Sequence, residues 1–310
     1  MRSVAQFATK KILVTGASGF IGSHLCRSLL EHGAEVHGSS RRPPVGGHDD
    51  VRWWQSDLTD GEAVRKLFSA IRPHYIFHLA SYVSGSRSLE AVLPTFHNNL
   101  TSAVNILTAA TKQGCHRIIL AGSLEEPEPE EGRATPCSPY AAAKWSCSAY
   151  ARMFYALYKT PVVVARLFMV YGPGQKDIQK LIPYVTLSLL RDESPRLSSG
   201  QRPVDWIYVN DVVDGLVAMA DSANIEGRTI DLGSGNLVTI RDVVEQMVTL
   251  INPRIQPFFG AIPERPMEKV RVANTLQTYN SIAWRPKISI ERGLELTIDW
   301  YRKKLKLQTG

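Results

Sequence analysis

The sequence predicts an α/β fold: a doubly wound parallel sheet with helices on both faces, followed by a smaller carboxy-terminal lobe. Three observations predict it. Short apolar runs alternate with amphipathic stretches over the first 170 residues, a glycine-rich turn joins the first run to the first amphipathic stretch, and the rhythm breaks after Tyr171-Gly-Pro-Gly174. Strands that alternate with helices need crossover connections, and these build a parallel sheet covered on both sides.

Lys11–Thr15 (KILVT) reads as the first strand and ends in Gly16-Ala-Ser-Gly19-Phe-Ile-Gly22. Ser23–His32 is amphipathic, and Gly33 closes it as a helix stop. Ala34–Gly38 is a second strand running into Ser39-Ser40-Arg41-Arg42, and Val51–Gln55 a third leading to Ser56-Asp57-Leu58. His74–Ala80, Arg117–Ala121 and Pro161–Val170 supply the fourth, fifth and sixth. Helical patterns at Gly61–Ile71, Leu100–Gln113 and Tyr140–Tyr158 fill the gaps. Residues 1–170 are thus one domain. Residues 171–310, rich in proline, form the lobe, except that 204–232 is expected to return to the sheet through Val204–Val209 and Thr229–Leu232. The run Glu125–Gly132 (EEPEPEEG) alternates acids with prolines and reads as an exposed loop.

Composition narrows the class. With 310 residues, 44% hydrophobic and 21% charged, the chain can bury a large core. No apolar run approaches the roughly 18–20 residues of a membrane span, so no membrane partner is expected. Met1–Lys11 is polar and basic, unlike a signal peptide. Cys26, Cys115, Cys137 and Cys147 are dispersed, which speaks against a disulfide framework or a metal site and for a reduced, cytoplasmic protein. The net charge of +7 suits an anionic diphosphate ligand. Without a zinc finger, aromatic–basic interleaving or a concentrated basic stripe, no nucleic-acid partner is expected.

The glycine triplet carries the first chemistry. Gly16 permits the tight turn out of the strand, Gly19 a close approach of backbone to a pyrophosphate, and Gly22 close packing of helix on sheet. The helix amino terminus adds free N–H groups and a partial positive charge. This predicts a Rossmann-type dinucleotide site. At the end of the second strand an acid would bind the ribose hydroxyls of NAD, but here stand Ser39, Ser40, Arg41 and Arg42. Hydroxyls and guanidinium groups suit a 2′-phosphate, so the expected cofactor is NADP, with NAD as the alternative if the arginines only solvate a loop. Asp57 is either an acceptor for the adenine amino group or a helix cap before Thr59.

Tyr140 and Lys144 lie four residues apart and share one helix face. A phenol ionises near pH ~10, too high for a base at neutral pH, and a neighbouring ammonium and an oxidised nicotinamide would both lower that value. Tyr140 is therefore the expected acid/base and Lys144 its tuning cation and ribose ligand. Ser123 follows the fifth strand at the carboxyl edge of the sheet, where it could orient a substrate oxygen toward Tyr140. Asn99 opens its helix as a plain cap or as part of a lysine–water relay.

With TGASGFIG, HLAS at His78–Ser81, Asn99, Ser123, SPYAAAK at Ser138–Lys144 and RLFMVYGPGQ at Arg166–Gln175, the chain resembles the extended short-chain dehydrogenase/reductase family of nucleotide-sugar epimerases, dehydratases and reductases. The likeness continues through WIYVNDVVDG, DLGSG and AWRPKISIERGLELTIDWY, over essentially the whole chain. It implies a Ser123–Tyr140–Lys144 triad. It extends the cofactor contacts to Ser18, Phe20, Ile21, Leu58, Leu79 and Ala80, and places Ser81 and Ser123 at the substrate. It also implies a homodimer joined by helices near 100–113 and 140–158, and a small lobe that holds a nucleotide-diphosphate sugar.

Departures from the family pattern bear on the substrate and the reaction. Met169 stands where the family has a phosphate-contacting asparagine, and Val204 where it has an arginine; Arg202, two positions earlier in an extended chain, could substitute. Arg265 matches a family phosphate-binding arginine. In family dehydratases an acid or serine, then a glutamate, follow the serine or threonine; here Leu124 cannot donate a proton, while Glu125 remains as a candidate base. The GSLEE stretch and the second-strand arginines look most like the GDP-hexose dehydratase and 4-keto-6-deoxyhexose reductase branch. The leading expectation is reduction of a 4-keto nucleotide sugar; a 4-epimerase that retains its cofactor is the alternative, and a 4,6-dehydratase is third. Met169 and Val204 leave room for a reductase of non-nucleotide carbonyls. The intact Tyr140–Lys144 pair speaks against a dinucleotide-sensing regulator.

Overall fold

The computed structural model describes residues 7–42, 50–128 and 134–309. The acidic proline run therefore lies outside the described residues from Pro129 onward, as do the first six residues of the polar amino terminus.

The chain divides into two compact units. The first holds the described residues up to Leu167 together with Val213–Asp231 and Gln277–Trp284; the second holds Phe168–Val212, Leu232–Leu276 and Arg285 onward. The first unit is built on β1 (Lys11–Thr15), β2 (Glu35–Ser40), β3 (Arg52–Gln55), β4 (Tyr75–His78), β5 (Arg117–Ser123) and β6 (Val162–Leu167), which pair in parallel. With β9 (Thr229–Leu232) the seven-stranded order is β3-β2-β1-β4-β5-β6-β9. The order reverses between β1 and β4, and Thr15 and His78 stand opposite each other at their carboxyl ends. Ligands of such sheets bind at that reversal.

The helices follow from the spacing of their apolar residues. In α2 (Gly61–Ile71) Val64, Leu67, Phe68 and Ile71 recur at three- and four-residue steps and are all buried. Asp60 caps it by accepting the Glu62 and Ala63 N–H groups. In α1 (Phe20–Glu31) Leu25, Cys26 and Leu29 face the sheet. The core of this unit joins Leu13, Ile76, Ile118 and Val162 of the strands to Phe68 of α2, Ile106 and Leu107 of the helix 102–113, and Phe154 of the helix 139–158. Because β5 is covered on both faces, every one of its residues is buried.

The helical segment expected at Leu100–Gln113 starts earlier. A 3-10 turn (Leu89–Ala91) leads into α3 (Val92–Thr95), a π-helical stretch (Phe96–Thr101) and then α4 (Ser102–Gln113). Asn99 is inside the π-helical stretch, so the cap reading is overturned. The expected sixth strand, Pro161–Val170, is two strands. Leu167 pairs with Ser123, the last residue of β5, so β6 runs out of partner there. After Phe168 the chain forms β7 (Met169–Tyr171), which pairs with β8 (Pro203–Tyr208). An unbroken apolar run does not reveal such a change of partner.

The expectation that 204–232 returns to the main sheet needs the same correction. Only β9 joins it. Strand β8 sits between β7 and β10 (Leu237–Thr239) in a separate three-stranded sheet. Its Val204, Trp206 and Tyr208 face the second unit's core, with Tyr171, with Val185 of α6 (Leu181–Leu190), Met247 of α8 (Ile240–Ile251) and Leu294 of α10 (Ile290–Thr309). Between β8 and β9 runs α7 (Val209–Asp221), and α9 (Thr275–Ile282) precedes α10. Buried Arg117, at the start of β5, holds the returning segment by donating to the carbonyls of Met219 and Ser222 and pairing with Glu226.

No helix among the described residues is long and apolar enough to cross a membrane. All four cysteines are free thiols, and no cluster of metal-ligating side chains occurs among the described residues.

His78 yields a prediction. Its ring bonds to Thr15 Oγ1 at 2.8 Å, and burial, reinforced by the charge of Lys144, pushes its pKa down to about 3. Below the ordinary imidazole value the unfolded chain takes a proton that the folded chain refuses, so stability is full above pH ~6.5 and is lost as pH falls toward 3. The full effect is on the order of 5 kcal/mol. Urea midpoints measured from pH 7 to 4 should fall less steeply in His78→Asn than in the wild type.

Candidate active site

At the carboxyl end of β1 the backbone of Gly16 takes φ +68°, and its N–H donates to Ser39 O at 3.1 Å. A Cβ there would lie 2.8 Å from Ala80 N, and one on Gly22 would lie 2.2 Å from Gly16 O. Turn, neighbouring strand and helix are packed as tightly as backbone allows. Gly19 is the amino-terminal cap residue of α1, with no side-chain capping bond, and Phe20 and Ile21 form its half-buried first turn. Open N–H groups above a cradle too narrow for any side chain fit a dinucleotide pyrophosphate. Leu79 N and Ala80 N donate to Thr15 O and Thr15 Oγ1, both at 3.2 Å, and buried Leu58 follows β3.

Strand β2 runs to Ser40, two residues beyond its expected end. Ser40 Oγ bonds to Ser18 Oγ at 2.9 Å and to the backbone of Arg42. Ser39 Oγ is buried without a hydrogen-bond partner. Arg41 and Arg42 are exposed, and Arg41 Nη1 donates to Asn98 Oδ1 at 3.1 Å. Asp57 is not the helix cap; that is Asp60. Asp57 instead accepts the N–H and hydroxyl of Thr59, bonds that hold its carboxyl below the usual range.

The reactive side chains come from β5, the turn after it, and α5 (Pro139–Tyr158). Pro139 begins α5 and Ser138 caps it, accepting Ala141 N–H at 3.0 Å. One turn later Lys144 Nζ lies 5.8 Å from the centre of the Tyr140 ring and donates to Ala121 O at 2.8 Å. Burial, then the Glu125 carboxylate, push the Tyr140 phenol above its ordinary value, and a hydrogen bond with Ser123 pulls it back in part. Lys144 is itself pulled below its ordinary value by burial. Both shifts favour the uncharged form of the side chain. Ser123 Oγ also accepts Glu125 N–H at 3.2 Å.

Glu125 is not on an exposed loop as expected. It is half-buried, and its carboxylate accepts from Ser138 Oγ at 3.3 Å, tying the turn after β5 to the cap of α5. The following acid, Glu126, is buried and accepts Ser123 N–H at 2.7 Å. It was missed because it stands in a run that reads as solvated; the available signal was its place three residues after Ser123, where a tight turn folds it back. Asn99 Oδ1 accepts Tyr82 N–H at 2.7 Å and Ser81 Oγ at 3.1 Å, so it pins the chain leaving β4.

Met169, Arg202 and Arg265 lie in the second unit. Met169 packs on its core. Arg202 Nε lies 2.8 Å from Glu268 Oε2, and Arg265 Nη1 lies 3.8 Å from Glu268 Oε1, so one carboxylate organises both arginines. Glu268 too was absent from the expected set.

The signature of the NAD dependent epimerase/dehydratase family matches residues 12–233. A dTDP-glucose 4,6-dehydratase of Mycobacterium tuberculosis is 29% identical over 94% of this chain and 93% of its own. The UDP-glucose 4-epimerase of Thermotoga maritima, solved with UDP-glucose, is 27% identical over 95% of this chain and 99% of its own, with a TM-score of 0.87. That of Thermus thermophilus, solved with NAD, is 28% identical over 94% and 99%, with a TM-score of 0.82. The chain belongs to the NAD-dependent epimerase/dehydratase family.

Proposed function

We propose that this chain is an oxidoreductase acting at the fourth carbon of a nucleotide-diphosphate sugar, working as a 4-ketoreductase. The observation that carries this reading is the Ser123–Tyr140–Lys144 arrangement, with Lys144 Nζ 5.8 Å from the centre of the Tyr140 ring and bonded to Ala121 O. A protonated phenol is the form that delivers a proton to a carbonyl oxygen as the ketone is reduced. Ser123 Oγ orients that oxygen, and Lys144 holds the nicotinamide ribose. A dinucleotide with its pyrophosphate in the glycine cradle would supply the hydride from its reduced nicotinamide. Ser81 is the further substrate contact, and Arg202, Arg265 and Met169 are the proposed contacts of the diphosphate.

A dehydratase reading lacks support on its second acid. Leu124 carries no proton, and the Glu125 carboxylate is engaged with Ser138. The 4-epimerase alternative is favoured by the two epimerases of known structure described above and needs the same residues. Cofactor stoichiometry separates the two. Purified protein mixed with a panel of 4-keto-6-deoxy nucleotide sugars should consume NADPH one-for-one with one of them. Conversion of a hydroxyl sugar nucleotide into its epimer without added cofactor would instead establish the epimerase. Tyr140→Phe should lower turnover by about 10²–10⁴-fold while leaving dinucleotide affinity intact.

On the cofactor, Ser40, Arg41 and Arg42 favour NADP over NAD. Arg41→Ala should weaken NADPH by about tenfold or more in a fluorescence titration and leave NADH nearly unchanged. Equal losses for both would sink the preference.

We also propose a homodimer. Leu89, Leu93 and Phe96 are exposed on the 89–96 segment, as are Tyr150, Leu157 and Tyr158 on α5, and α3 packs on α5. Apolar surface of this kind marks an association face. It adds the 89–96 segment to the helices near 100–113 and 140–158. The wild type should sediment as a dimer and Leu93→Asp as a monomer.

A further inference from the structure

Three residues beyond Ser123 the chain buries a carboxylate. Glu126 is 5% exposed, although it stands in a run of acids and prolines. A tight turn puts it there. Its N–H donates to Ser123 O at 3.1 Å, and its Oε1 accepts Ser123 N–H at 2.7 Å. A Cβ on Gly122 would lie 2.6 Å from that same oxygen, so the glycine makes room for the carboxylate against the end of β5.

Lys144 reaches the same strand end from α5. It is 5% exposed, and its Nζ donates to Ala121 O at 2.8 Å. An ammonium stripped of water tends to lose its proton unless an opposite charge lies near. The titratable groups around it are Tyr140 and Cys147 on α5, His78 on β4, and Glu125 and Glu126 after β5. Burial holds Cys147 as a thiol, pushed up to about 11, and His78 as a neutral ring. Glu125 bears first on Tyr140. Against the pull of burial on Lys144 stand first Cys147 and then Glu126; with Cys147 held as a thiol, Glu126 is the carboxylate at the same strand end, where it bonds Ser123 N–H and Lys144 bonds Ala121 O.

We propose that Glu126 is a positioning residue, whose carboxylate clamps the Ser123 amide and serves as the counter-charge that keeps Lys144 an ammonium able to hold the dinucleotide ribose. The inference rests on the reading of Lys144 as a cofactor ligand. Gln at position 126 can still accept the Ser123 N–H but carries no charge, so it separates the two tasks.

The test is the pH dependence of NADPH affinity, followed by cofactor fluorescence in the wild type and in Lys144→Met, Glu126→Gln, Glu126→Asp and Gly122→Ala. Wild-type affinity should hold until an alkaline limb where Lys144 loses its proton. In Glu126→Gln that limb should move to lower pH by about one unit or more, and Glu126→Asp should restore most of the shift. Gly122→Ala pushes on the same oxygen and should move the limb the same way, which decides the matter should Glu126→Gln fail to fold. Superposition of the Gln and Ala profiles on the wild type, with the limb abolished in Lys144→Met, would overturn the inference while sparing the Lys144 reading. Wild-type affinity and an unchanged limb in Lys144→Met would overturn that reading, and the inference with it.

Discussion

The close approach of the Gly16 turn to the end of β4 is the constraint on which the site depends. Thr15 sits at its centre, fully buried, with its hydroxyl bonded to the His78 ring and accepting the Ala80 N–H. These bonds tie together the two strands that separate at the reversal of strand order. A chain that parts there must leave a crevice between its two outgoing turns. With Gly16 bare, the first turn can lie against Ala80 and still aim the start of α1 at the crevice. The anion site is thus a consequence of sheet topology, and the glycines are what the topology demands of the sequence.

From that crevice the order passes outward through buried polar side chains. His78 bonds at one ring nitrogen to Thr15, with Ser102 Oγ 3.5 Å from the other. Ser102 in turn donates to the carbonyls of Asn98 and Asn99. Asn99 pins Ser81 and Tyr82, and Asn98 receives Arg41 from the far side of the crevice. The π-helical stretch, with its extra residue per turn, lets Asn98 and Asn99 meet different partners. Irregularity in the helix is the means by which one segment touches β2, β4 and α5 together.

How much of this was legible in the sequence follows from what periodicity records. The first six strands and the helices α2 and α5 were legible because each buries one face or two, and burial leaves its mark in residue type. Tyr140, Lys144, Ser123 and the glycines were legible because their chemistry demands those residues at those places. The division of Pro161–Val170 was not, since Val164 and Val170 look alike whichever sheet they join. Nor was the isolation of β8, whose alternating Val204, Trp206 and Tyr208 face a different core from the one expected. Glu126 and Glu268 were illegible for a third reason: a carboxylate is buried by its partners, and those partners are distant or backbone atoms that residue type does not announce.

The charges at the end of β5 set two requirements against each other. Nearby carboxylates disfavour the Tyr140 phenolate, which makes the phenol a weaker acid, while they favour the Lys144 ammonium. Glu125 bears on the first and Glu126 on the second, so successive residues of one turn push both groups toward their protonated forms, against burial in the case of the lysine. The placement of two inward-turned acids after Ser123, where an exposed loop was expected, therefore bears on the charge state of both side chains. It does so through backbone geometry that begins with a glycine at position 122, where a Cβ would lie 2.6 Å from Glu126 Oε1.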